Sequence, residues 1–344
     1  MNTASAVPHS DAAIRLRQLQ SLAPLPVVAR RLLQDLERDD LSLGQLASVI
    51  EMDPGLTARL VGLANSAYFA SGRPVSSVTD AVGRVLGLDL VKNLALGIVL
   101  SGPFDTRRCT GFDTEAFWFR AMGAATLAVP LSHALDSPME HDWVYLGGLL
   151  HELGLLALCA LSPDPMSRVL KEAPDKDGLP GESLHMRVRT ELGLSPAEAG
   201  AVLARRWRLP QPVSVAMTHC RDHDYRGEHW HSNAVVGLAS VVAADLYHER
   251  EDSDQRNPWL VALGLPARTV SELVERHRPR VESLRALSRH MATAGNRIDG
   301  QPTAPGCLPG YPATHAGAHG LSLLASGPVR AGRQSSGPRG PAGP

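Results

Sequence analysis

An all-α fold follows from three features of this sequence. Apolar residues recur at helical spacing in nearly every segment, no segment sustains the period-two alternation of a half-buried strand, and hydrophobic residues make up 44% of the 344 positions. A chain of that size and content buries enough core for one large domain or two modest ones.

The elements can be read in order. In LSLGQLASVIEMD, Ser42 is placed to cap a helix whose Leu43, Leu46, Val49 and Ile50 share one face. Asp53 caps the next helix, Pro54 suits its first position, and Leu56, Leu60 and Leu63 repeat toward Asn65. After a loop at Gly72 to Pro74, Ser77 with Asp80 reads as a capping box. Val78, Val82 and Val85 face inward, and Gly87 ends the run before Leu90, Leu94 and Ile98 begin another. Small residues and breakers from Ser101 to Gly111 predict a loop. A long helix from Asp113 to about Leu135 then opens a second lobe with Phe117, Trp118 and Leu127. Further helical patterns run through Trp143 to Leu161, onward from near Ser183, and through Ser195 to Trp207 and Pro212 to His219. Two more cover Ser232 to Glu249 and Pro266 to Met291, and the charged run Glu249 to Asp254 reads as a solvated connection.

The two ends differ from this pattern. From Gly300 onward the chain holds ten glycines and eight prolines, and after Asp299 only Arg330, Arg333 and Arg339 carry charge. So many breakers and so little apolar surface predict a disordered tail over 297–344. The expected organisation is a flexible N-terminus at 1–17, a helical domain at 18–250, a helical extension at 251–296, and that tail.

Composition excludes several classes. With 34 basic against 35 acidic residues the formal net charge is −1, so no global field favours nucleic acid or an anionic membrane. Cys109, Cys159, Cys220 and Cys307 form no CxxC pair, which fits a reducing cytoplasm rather than a disulfide scaffold. The N-terminus lacks the apolar core of a secretory signal, and the apolar stretches Leu94 to Leu100 and Leu146 to Leu161 read as buried helices rather than membrane spans.

Five ordered blocks then carry a family resemblance: LAPLPVVARRLLQDL, ASVIEMDPGLTARLVGLANSAYF, VSSVTDAVGRVLGLDLVKNLAL, YLGGLLHELGLLAL and GAVLARRWRLPQPVSVAMTHC. In order and spacing, from Leu19 to Ala244, the chain resembles the HDOD domain proteins, relatives of the HD and HD-GYP phosphohydrolases. The resemblance implies an all-helical, two-lobed domain of a bacterial regulatory protein. Its implied partners are signalling proteins, cyclic-dinucleotide networks among them, while charge and hydropathy argue against membrane and nucleic acid.

The HD enzymes need divalent metal held by His and Asp from several helices, because imidazole nitrogen and carboxylate oxygen suit ions that activate water. Their His-Asp pair matches His151 and Glu152. The resemblance places an upstream histidine at Arg120, another at Pro196 and an aspartate at Ser240, with Asp245 nearby. Of a His-His pair His219 remains, followed by Cys220. Guanidinium repels a cation and proline offers no donor, so a dinuclear centre is not expected. The resulting expectation is a pseudoenzyme without cofactor, acting by binding protein partners and a small anion. The alternative is a phosphohydrolase with a metal on His151, Glu152 and His219, joined by Asp245.

Other features carry bland and functional readings side by side. The segment Thr218 to His231 collects His219, Cys220, Asp222, His223, Asp224, His229 and His231, yet its charge and Gly227 suit a solvated loop more than a zinc site. SLGQLASVIEMDPGLTARLVGLA has the length of a DNA-binding helix-turn-helix, but its second helix offers only Thr57, Arg59 and Asn65 to bases or phosphates. Arg205, Arg206 and Arg208 solvate a helix end or mark a phosphate site, and Arg276, Arg278 and Arg280 among Glu272, Glu275 and Glu282 suit an exposed face. Trp118 and Trp207 read as packing anchors. Asn65, Ser66 and Tyr68 cap a helix end or line a cleft between lobes.

Overall fold

The structure, a computed structural model, describes residues 9–36, 41–65, 73–135, 137, 141–172, 182–250 and 257–295. Helix α1 (His9–Gln20) occupies much of the stretch expected to be a flexible N-terminus. It is fixed at both faces. Leu19 is fully buried, and the Arg15 guanidinium donates to the Leu192 carbonyl at 2.6 Å and to Ser162 Oγ at 3.2 Å. The second contact set lies far along the chain, which is why local sequence does not reveal it.

Five helices, three of them capped by a side chain, and a π-helical turn build the first lobe. Helix α2 (Val27–Leu36) precedes α3 (Leu43–Glu51), where Ser42 and Gln45 form a reciprocal capping box. Asp53 Oδ1 accepts from the Gly55 and Leu56 amides to start α4 (Pro54–Ala64). Ser77 accepts from the Asp80 amide at the head of α5 (Val78–Asp80), but only half of the expected box forms. The Asp80 carboxylate faces Arg84 instead. The backbone widens into a π-helical turn at Ala81–Leu86 and stops at Gly87, whose φ of 81° suits glycine. Helix α6 (Leu88–Ser101) closes this lobe, packing on α2 and α4.

The second lobe is arranged around α7 (Thr114–Ser132), capped by Asp113 and buried on nearly all sides by the helices His141–Leu150, Trp230–Tyr247, Ala267–Glu282 and Leu284–Gly295. The expected helix over Trp143 to Leu161 is two: α8 (His141–Leu150) and α9 (Leu153–Leu161), interrupted at His151 and Glu152. By length and composition the stretch could cross a membrane, yet 83% of it is buried inside the fold. Helices α10 (Pro163–Glu172) and α11 (Glu182–Leu192) lead to α12 (Pro196–Trp207), opened by a Ser195–Glu198 capping box, and α13 (Gln211–His219). Helix α14 (Trp230–Tyr247) lies along α7.

Beyond it, α15 (Pro258–Leu263), capped by Asn257, lies within the helical extension expected at 251–296, ahead of the stretch read from Pro266. The pattern read from Pro266 to Met291 divides into α16 (Ala267–Glu282) and α17 (Leu284–Gly295), with Pro279 in the last turn before the division. The predicted tail at 297–344, like Ser66 and Tyr68, lies outside the described residues.

Candidate functional site

Two glycines bring the backbones together where the site forms. A Cβ on Gly148 would lie 2.7 Å from the Ala125 backbone, and one on Gly154 would lie 2.0 Å from the Pro196 carbonyl oxygen. The first lets α8 meet α7, the second lets α9 meet α12, and His151 and Glu152 occupy the turn between. Both side chains are buried.

His151 is held at both ring nitrogens. Nδ1 lies 2.7 Å from the Gly148 carbonyl and Nε2 lies 2.9 Å from Ser240 Oγ. A carbonyl only accepts, so Nδ1 carries the proton and the Nε2 lone pair accepts from the Ser240 hydroxyl. Burial lowers the imidazole pKa, against an opposing pull from Glu152, and keeps the ring neutral. The lone pair a metal would need is thereby occupied.

Glu152 is held at both oxygens too. Arg120 Nη2 donates to Oε2 at 3.4 Å, and Arg221 Nη2 donates to Oε1 at 2.5 Å. The carboxylate is 1% exposed. Burial alone would raise its pKa, but the two guanidiniums outweigh burial and hold it at about 2. His185 on α11 completes the group: burial, then the Arg221 charge, lowers its pKa to about 4.

The structure therefore links His151, Glu152, Arg120 and Ser240 from the sequence reading by direct contacts, and gives the other candidates different partners. His219 is half-exposed, stacked on Tyr225 with centroids 4.1 Å apart, and 3.8 Å from Asp222. Asp245 pairs with Arg250 at 3.7 Å. Pro196 is the buried first residue of α12 and contributes its carbonyl to the Gly154 contact. Among the described residues no three His, Cys, Asp or Glu side chains converge as a metal site. Arg120 stands against Glu152, the only carboxylate of the cluster among the described residues, so these side chains do not fit a resident divalent ion.

The remaining candidates take local roles. In Thr218 to His231, His223 lies against Asp224, Trp230 stacks on His231, and burial pushes the Cys220 thiol up to about 12. Thr57 donates to the Ile50 carbonyl, and α4 buries Leu56, Leu60 and Leu63, which leaves it no recognition face of polar side chains. The Asn65 amide donates to the Val75 carbonyl and accepts from the Val75 amide, both at 2.7 Å, closing the chain ends around residues 66–72. Trp207 donates to the Ala23 carbonyl and packs near Phe104. Arg206 donates to the Leu22 carbonyl, and Arg278 pairs with Glu275 on the α16 surface.

Arg221 and His185 were absent from the sequence reading. Arginine is no metal ligand, and His185 lies outside the five sequence blocks that carry the resemblance. The available signal was Glu152 itself, because a carboxylate buried in an apolar helix pair needs a cation or donors to hold it.

Comparison with known proteins agrees with this architecture. The HDOD domain family matches residues 22–223. An uncharacterized protein of Treponema pallidum (strain Nichols) is 28% identical over 196 residues, 57% of this chain, which spans 37% of that relative's length. Among solved structures, a protein of Marinobacter aquaeolei VT8 assigned to signal transduction superposes with a TM-score of 0.67 at 26% identity, over 84% of this chain and 68% of its own. An HDOD domain protein of unknown function from Geobacter sulfurreducens gives 0.61 at 20% identity, over 81% and 97%. A Shewanella amazonensis SB2B protein assigned as a phosphohydrolase gives 0.58 at 22%, over 82% and 98%, a likeness of fold alone. With 22–223 matched on a helical scaffold of this kind, the chain belongs to the HDOD domain family.

Proposed function

We propose that this chain is a non-catalytic signalling protein that binds protein partners, and a small anion, on a scaffold whose hydrolytic centre has become an ion-paired core. One observation carries the reading: Glu152 sits between Arg120 and Arg221 at a position where a metal enzyme needs an open carboxylate. Two fixed cations there repel a divalent ion, and the Ser240 hydroxyl already uses the His151 lone pair. The signal-transduction assignment of the Marinobacter aquaeolei protein supports the regulatory part of the proposal. Cyclic-dinucleotide signalling is the network the family resemblance implies. The free thiols Cys109, Cys159 and Cys220 support a cytoplasmic setting.

The test is metal content per chain after purification without chelators, paired with a phosphomonoester and phosphodiester hydrolysis screen. Wild type and His151→Ala are expected to be equally metal-free and equally inactive. Stoichiometric metal with metal-dependent turnover, both lost in His151→Ala, would overturn the proposal and establish the phosphohydrolase alternative.

A further inference from the structure

Charge does not balance at the α8–α9 break. Arg120 and Arg221 bring two guanidiniums onto the one carboxylate of Glu152. Beside it the His151 ring donates from Nδ1 to the Gly148 carbonyl and accepts at Nε2 from the Ser240 hydroxyl, and so adds no charge. These groups leave one net positive charge in a region shielded from water. Hydrogen bonding is also incomplete: Arg120 Nε, Arg221 Nε and His185 Nε2 are buried without a partner among the described residues.

Such orphans are rare in folded proteins, and charged ones are the costliest. Water would satisfy the donors but not the charge. An oxyanion satisfies both, and guanidinium N–H groups are well matched to tetrahedral oxyanions. A carboxylate ligand offers two oxygens, whereas orphaned nitrogens here come from α7, α11 and the connection after α13. Phosphate has oxygens enough for all three. Exposure gives the entrance: the Arg221 side chain is 18% exposed, against 7% for Arg120 and 1% for Glu152.

We propose that Arg120, Arg221 and His185 form a metal-free binding site for a phosphate-class oxyanion, entered from the α13–α14 connection beside Arg221. The inference rests on the reading that this centre holds no metal. Glu152 is then the internal counter-ion that the ligand competes with, and His185 donates once its Nε2 carries the proton.

The experiment is calorimetric titration of the full chain with inorganic phosphate, against chloride at matched ionic strength, on preparations of measured metal content. Wild type is expected to give saturable heat. Arg221→Gln is expected to weaken binding at least tenfold, and Glu152→Gln to tighten it, because removing the competing carboxylate leaves both cations to the ligand. Arg278→Gln, on the exposed face of α16, leaves it unchanged. Should Arg221→Gln fail to fold, His185→Ala serves in its place with the same expected direction. Absence of saturable heat in wild type, wild-type affinity in the Arg221 or His185 variant, or weaker binding in Glu152→Gln would each overturn the site. Phosphate binding that requires a divalent ion would overturn the metal-free reading with it, whereas a metal-free chain blind to phosphate overturns this inference alone.

Discussion

Ser240 on α14 meets His151 Nε2 at 2.9 Å, across a separation of 89 residues. The contact joins two positions that the family resemblance marks as ligands, and it inverts their chemistry. An aspartate at position 240 would stand ready for a cation alongside the imidazole. A serine hydroxyl instead donates to the imidazole lone pair and leaves a neutral, closed hydrogen bond in the core.

Ser240→Ala tests that closure. The substitution leaves His151 Nε2 buried with no donor, at an expected cost of about 1–3 kcal/mol. Urea denaturation measures it. Unchanged stability would mean that the hydroxyl does not hold the ring.

Arg120→Met and Glu152→Gln are expected to be unequal. Loss of Arg120 leaves one carboxylate facing one guanidinium at Arg221, a balanced pair. Loss of the carboxylate leaves two buried cations with no counter-charge, which belongs to the class of change costing about 3–5 kcal/mol. In phosphate-free buffer the glutamate variant is therefore expected to unfold at lower urea than the arginine variant. The double variant is expected to lose less stability than the two single losses added together. The reverse order would contradict the charge excess assigned to this cluster.

Much of the architecture was legible because its signals are local. Ser42, Asp53 and Ser195 each cap a helix within three residues of themselves, so sequence spacing locates them. The α8–α9 break was not legible, since the apolar pattern runs through it and the close approaches at Gly148 and Gly154 are tertiary. Arg120 and Ser240 were found as mismatches to a motif, but their new roles depend on partners. Arg221 lies 69 residues from the glutamate it holds, and nothing near it in sequence announces that pairing. His219 matches the motif by position, and its ring stacks on Tyr225, a contact that the motif does not announce.

Stability is expected to fall on mild acidification. His185 has a pKa of about 4 in the fold against 6.5 in the unfolded chain. Between those values the unfolded chain takes up a proton that the folded chain refuses, so stability declines as pH drops through that window. Arg221, Glu152 and His151 are the charged and titratable groups acting on the ring. Glu152, at about 2 against 4.5, adds a second loss of the same sign as pH falls through the lower range. The His185 contribution is on the order of 3 kcal/mol. Urea midpoints from pH 7 to 4 measure it, and His185→Gln is expected to flatten the decline. An unchanged slope in that variant would place the acid sensitivity elsewhere.

Asn65 separates a structural role from a ligand role. Its amide spans the Val75 peptide group with two 2.7 Å hydrogen bonds, one in each direction. Aspartate can accept from the Val75 amide but sets a negative oxygen against the Val75 carbonyl, so it is no substitute. Asn65→Ala and Asn65→Asp are both expected to cost about 1 kcal/mol and to speed hydrogen exchange at the Val75 amide. Phosphate affinity is expected to stay unchanged in both, because the clip belongs to the first lobe and the charge cluster to the second. Loss of ligand binding with Val75 exchange unaltered would instead return Asn65 to the interlobe cleft that its sequence context first suggested.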